Sequence, residues 1–154
     1  MPGSNIFPQH PVDRPFPRQI LIPNPAAGAD ILYACPANFR FEVLGFHFQL
    51  TTDATAGNRE VDIILGSGVV DYYRFDMPIP QAPTSTYEYH LIPGQIQPFF
   101  NIGTTLWCPA PPNLILCRGL SIYTDTLNLA IGDRFTFLYL IAYAFPDLVN
   151  MAPA

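Results

Sequence analysis

The run Arg40-Phe41-Glu42-Val43-Leu44-Gly45-Phe46-His47-Phe48-Gln49-Leu50-Thr51-Thr52 decides the fold class. Leu44, Phe46, Phe48 and Leu50 alternate with Gly45, His47 and Gln49, the period of two that a β-strand imposes. Upstream, Phe41 and Val43 fall on the opposite parity, which predicts a bulge or bend near Leu44. A second long run, residues 134–145, is apolar on both parities. Phe135, Phe137, Tyr139, Ile141 and Tyr143 stand against Leu138, Leu140, Ala142 and Ala144. Such a strand calls for cover on both faces, centrally in a sandwich or beside another subunit.

Shorter strands flank these two. Gln19-Ile20-Leu21-Ile22 is closed by Pro23-Asn24-Pro25, and residues 31–35 are stopped by Pro36. Val61, Ile63 and Leu65 share one face, and Gly66-Ser67-Gly68 is a hairpin turn into residues 69–76. Tyr87, Tyr89 and Leu91 alternate against Glu88 and His90. Residues 114–124 read as a strand pair or one bent strand around Arg118-Gly119. Residues 93–113 carry Pro93, Pro98, Pro109, Pro111 and Pro112 and read as irregular. No window supports an amphipathic helix longer than about two turns. Eight or nine strands predict an all-β domain over residues 18–146, a single jelly-roll or Greek-key β-sandwich of about eight strands. Pro2, Pro8, Pro11, Pro15 and Pro17 make residues 1–17 an extended N-terminal arm, and residues 147–154 a short tail.

Composition narrows the function. Of 154 residues only 12% are charged, about half the usual share. Lone soluble domains usually carry more charge outside, so this points to assembly. All seven cations are arginine, which excludes Schiff-base, P-loop and pyridoxal chemistry, each of which needs a lysine. The net charge of −5 and the scatter of the arginines argue against nucleic acid as a partner. No apolar run is long enough for a membrane helix, and no signal peptide is expected. Cys35, Cys108 and Cys117 form no Cys-x-x-Cys pair. Buried reduced thiols are the main reading, a Cys108–Cys117 bridge the other.

No catalytic or cofactor constellation emerges. Ser4, Ser67, Ser85 and Ser121 lie outside any Gly-x-Ser-x-Gly. Glu42, Glu60, Asp62, Asp71 and Glu88 offer carboxylates with no pairing signal. His47 and His90 sit in strands and face either each other, with Glu42 or Glu88 completing a metal site, or solvent; no His-x-His spacing favours the metal. Tyr72, Tyr73 and Trp107 read either as core and loop anchors or as a sugar platform. The most distinctive stretch is Thr51-Thr52-Asp53-Ala54-Thr55-Ala56-Gly57-Asn58-Arg59. Asp53 suits an Asx-type turn, Gly57-Asn58 suits left-handed backbone, and Arg59 suits a clamp on Asp53 or loop carbonyls. The loop is then either self-bonded or also a contact with a partner through Asp53, Asn58 and Arg59.

Pro36-Ala37-Asn38-Phe39, Phe41-Glu42-Val43-Leu44-Gly45, the loop just quoted and Ile131-Gly132-Asp133-Arg134 together resemble small jelly-roll virion proteins of tailed bacteriophages, capsid decoration proteins among them. The likeness covers roughly residues 20–145. It implies a non-enzymatic structural protein on the capsid surface, assembled in the host cytoplasm, a homotrimer that cements the major capsid protein or other virion proteins. It transfers no catalytic residue. On that view the arm binds, with Ile6, Phe7 and Phe16 as anchors and Arg14 and Arg18 pairing with acidic shell residues. The rival expectations are a tail, neck or head-fibre component and a carbohydrate-binding module.

Overall fold

The computed structural model describes residues 17–95 and 99–146. Residues 1–16 of the arm and 147–154 of the tail lie outside them; Pro17, assigned above to the arm, opens the first strand instead. Eleven strands follow: β1 (Pro17–Leu21), β2 (Leu32–Ala34), β3 (Phe39–Thr51), β4 (Glu60–Gly66), β5 (Asp71–Asp76), β6 (Thr86–Pro93), β7 (Phe100–Ile102), β8 (Thr105–Ala110), β9 (Leu114–Leu116), β10 (Ser121–Leu127) and β11 (Arg134–Pro146). The larger sheet runs β1-β11-β3-β6-β8-β7, with β9 paired to the remaining length of β3; the smaller runs β2-β10-β4-β5.

The fold class is as expected, an all-β sandwich, and the strand count is higher: eleven rather than about eight. The three extra strands explain the difference. With β7, β8 and β9 set aside, eight strands remain in two sheets of four, β1-β11-β3-β6 over β2-β10-β4-β5. Most steps along the chain cross from one sheet to the other, the winding of a single jelly roll. β7 to β9 are an insertion between β6 and β10 that widens the larger sheet. β9 and β10 are the strand pair that residues 114–124 allowed, on either side of Arg118-Gly119, whereas β7 and β8 fall in the proline-rich segment read as irregular. Pro109 is tolerated there because β7 pairs with β8 only from Thr105 to Trp107, so the missing N–H of Pro109 costs no ladder bond on that side.

The bulge near Leu44 is present. β11 pairs Ile141 with Gly45 and then Ala142 with Val43, leaving Leu44 as the extra residue. A second bulge lies on β11, where Thr136 pairs with Gln49 and Tyr139 with His47. It is made by Phe137, which has a φ of 53°, left-handed backbone that bulky residues rarely adopt. This extra residue switches the parity of β11. Phe135 points into the core before it, and Leu138, Leu140 and Ala142 after it. The double-parity apolar pattern is therefore only partly a sign of two-sided cover. The chain itself covers one face, and Phe137 and Ile141 stay 69% and 38% exposed on the other.

The core lies between the sheets. Phe46, Phe48, Leu50, Tyr89, Leu91 and Leu106 from the larger sheet meet Val61, Ile63, Leu65 and Ile122 from the smaller. Phe48 packs on Tyr89 with ring centroids 4.9 Å apart and meets Phe135 edge-on at 5.5 Å. None of the three cysteines is in a disulfide, and Cys35 and Cys108 are buried.

Candidate functional site

The loop after β3 is closed by Arg59, whose side chain is fully buried. Its Nε donates to Asp133 Oδ2 at 2.7 Å, and one terminal nitrogen donates to Asp133 Oδ1 at 2.9 Å and Asp53 Oδ1 at 2.8 Å. The other terminal nitrogen donates to the carbonyls of Thr55, at 2.8 Å, and Gly57. Five donors meet five acceptors, which is how a buried guanidinium is tolerated. Asp133 also accepts the N–H groups of Asp53 and Ala130, each at 2.8 Å. The hydrogen bond to Asp133 is the main cause that raises the Arg59 pKa. Burial alone would raise Asp133, but the Arg59 guanidinium and the two backbone N–H groups outweigh it and hold that carboxyl low.

The predicted clamp on Asp53 and loop carbonyls is thus present, and it is built inward. Arg59 shows no surface to a partner, which corrects its candidacy as a contact residue. Asp53 is partly exposed and its Oδ1 also caps Thr55 N–H at 2.9 Å in the expected Asx-type turn. Asn58 is exposed but not left-handed; Gly57 alone takes that backbone, at φ 112°. The second carboxylate, Asp133, was not anticipated in this role. Its Gly132-Asp133 context before a strand was the available signal: a Cβ at Gly132 would collide with the Asp53 carboxylate, so glycine lets the two loops meet.

A second arrangement covers the outer face of the larger sheet. Cross-strand register aligns Leu21, Tyr139, His47, His90, Trp107 and Phe100 in one row over six strands. Ring centroids lie 4.5 Å apart for Tyr139 and His47, 4.3 Å for His47 and His90, 5.6 Å for His90 and Trp107, and 4.6 Å for Trp107 and Phe100. The last two pairs are nearly parallel stacks. His47 and His90 do face each other, Nδ1 to Nδ1 at 3.1 Å, so one imidazole donates and the other accepts. Burial, then the neighbouring His90, lowers the His47 pKa to about 4; burial also lowers that of His90, against the opposing pull of Glu88. Both rings are therefore neutral near pH 7. Among the described residues no cluster of three His, Cys, Asp or Glu side chains is placed to hold a metal.

Tyr72, Tyr73 and Trp107 are not brought together. Tyr72 and Tyr73 line an open cleft of ≈ 610 Å³ with Pro111, Pro112 and Arg118, beside the smaller sheet. Trp107 sits in the row on the other sheet. The smaller sheet's outer face holds an ionic cluster. Arg74 donates to Asp62 at 2.6 Å, Asp71 at 3.0 Å and Asp125 at 3.2 Å, and Tyr123 donates to Asp71 at 2.5 Å. Of the expected arm contacts, Arg18 is exposed on β1 opposite Ala142, while Ile6, Phe7, Arg14 and Phe16 lie outside the described residues. The ring row went unseen in the sequence because it needs the register of five strands; the parity of His47 and His90 was its only local trace.

These features define a class of architecture: a single jelly roll with a sealed loop clamp at one end and a ring-lined apolar band across the outer face of one sheet. No protein-family model, curated protein or solved structure matches the chain.

Proposed function

We propose that the chain is a non-enzymatic structural protein of a tailed-phage virion, a capsid decoration or cement protein that assembles as a homotrimer on the shell. One observation carries the reading: the outer face of the larger sheet presents a central apolar band that the described residues leave uncovered. Leu21 is 76% exposed, Phe137 69% and Ile141 38%, beside the half-buried rings of Tyr139, Trp107 and Phe100. Exposed apolar surface of this continuity marks interaction sites. The edge strand β1 has no strand partner on its outer side among the described residues, and a partner's extended segment can pair there. The clamp supports the same role by holding the loops rigid, so little entropy is lost on docking.

Size-exclusion chromatography with light scattering tests the reading directly. The full chain is expected at three times its 17.1 kDa mass and should co-sediment with phage shells lacking it. A monomer at every concentration that leaves shells bare refutes it. A carbohydrate-binding module is the second reading, favoured by the Tyr72–Tyr73–Arg118 cleft, since tyrosine rings stack on sugars and arginine donates to hydroxyls. Retention on a polysaccharide column, abolished by Tyr72→Ala, would select it.

A further inference from the structure

Gly45 sits in the middle of β3, on the outer face, where neither backbone nor packing demands glycine. Its φ is not left-handed. A Cβ there would meet only the Leu91 carbonyl oxygen at 3.7 Å, an ordinary contact. Glycine inside a strand weakens it and marks a bulge or a place where another group approaches closely. The neighbouring bulge places its extra residue at Leu44, so it does not account for Gly45. What the missing side chain creates is a depression of ≈ 190 Å³, flanked by His47, His90, Tyr139, Ile92 and Ile141. Its walls are rings and aliphatic chains, with both imidazoles neutral.

We propose that this depression is a socket for one phenylalanine side chain, supplied by residues 1–16 of a second copy of this chain; the proposal rests on the assembly reading above. The leader has the right chemistry. Phe7 precedes Pro8, and Phe16 lies between Pro15 and Pro17. Proline next to an anchor restricts the backbone before docking, so less entropy is lost on binding. It also has the reach. Sixteen residues in polyproline geometry extend about 50 Å, against roughly 24 Å across six strands. Its point of attachment favours the neighbour. β1 enters the sheet at Pro17 opposite Tyr143 and forms the sheet edge. The leader is thus joined to the sheet at its edge, where a neighbouring copy can approach.

Trp107, the sole tryptophan, stacks on His90 beside the socket and reports on it. The experiment measures acrylamide quenching of Trp107 and light scattering on the full chain, over a hundredfold range of concentration. Gly45→Leu fills the socket; Gly45→Ala, whose Cβ the fold accepts, controls for folding; Phe7→Ala and Phe16→Ala remove the anchors singly and together. The expected result is protection of Trp107 that grows with concentration in the wild type. Quenching should rise about threefold at high concentration in Gly45→Leu and in the double leader variant, with parallel loss of assembly. Wild-type quenching in both variants overturns the socket, and if they still assemble, the assembly reading survives alone. Protection that is independent of concentration overturns the second copy as donor. A wild type that is monomeric throughout, with an unprotected Trp107, overturns both.

Discussion

Replacing Arg59 by methionine tests the loop clamp. Methionine keeps length and apolar volume but deletes all five donors. The Asp133 side chain is fully buried and the Asp53 side chain only 27% exposed, so water cannot replace the guanidinium freely. Breaking a buried pair by removing one partner costs roughly 3–5 kcal/mol. Asp133 would retain the N–H groups of Asp53 and Ala130, each at 2.8 Å, which argues for the lower end. A loss of about 3 kcal/mol is a large part of the 5–15 kcal/mol that holds a domain together. In a chain of this size it lowers Tm by about 6–12 °C. Urea unfolding followed by Trp107 fluorescence and far-UV circular dichroism measures it. Arg59→Lys should fall between, with charge kept and two donors lost. Asp53→Asn should cost no more than about 1 kcal/mol, because that carboxylate is partly solvated. The pH dependence has a fixed sign. A carboxyl held low in the folded state adds stability above its unfolded pKa of about 4, lost as pH falls through the folded value; Arg59→Met should flatten that acid limb. An Arg59→Met protein within about 1 kcal/mol of wild type would refute the reasoning, since it would mean that the five bonds only offset the desolvation of the charge.

Two further outcomes follow from the larger sheet. His47 has its pKa lowered to about 4 by burial and by His90, so its contribution is complete above about pH 6.5 and fades as pH falls from there toward 4; Tm should drop between pH 7 and pH 5, and His47→Gln should shrink the drop, with an equal drop in both proteins counting against the assignment. Phe137, at φ 53° and 69% exposed, holds strained backbone for no gain in the core; Phe137→Asn should raise stability by about 1 kcal/mol in urea unfolding while weakening assembly, and a destabilised variant would show that Phe137 packs within its own chain.

The sequence carried the fold because its period-two signal was strong where it mattered. Phe46, Phe48 and Leu50 alternate so regularly that residues 40–52 admit only a strand, and the parity break at Leu44 located a bulge that the register with β11 contains. Of the inserted strands, β9 was legible in residues 114–124, but β7 and β8 were hidden by prolines, which propensity counts as breakers although Pro109 lies where β7 no longer pairs. The clamp was half legible. Asp53 and Arg59 are six residues apart and belong to one turn, whereas Asp133 reaches them over a separation of 74 positions from Arg59, a distance no local pattern spans. The ring row was less legible still, because each member is an ordinary strand residue until four registers align five strands.

The scarcity of charge takes on a different meaning once it is placed on the two sheets. The smaller sheet gathers Asp62, Asp71, Asp125 and Arg74 into one linked cluster on its outer face, with Tyr123 hydrogen-bonded into it. Ile64, though it lies on that outward parity, is only 1% exposed beneath this polar cover. The larger sheet has Arg40, Glu42, Glu88 and Arg134 on its outer parity, but they flank a central part made of rings, Ile92, Ile141 and a bare glycine. A monomer living in water would gain solubility from spreading its few charges over both faces. Keeping charge off the central band of one sheet, while the other carries a linked ionic cluster, gives the molecule a less polar and a more polar face. That difference between the faces, rather than low charge as such, is what supports the proposal that the protein docks by its larger sheet.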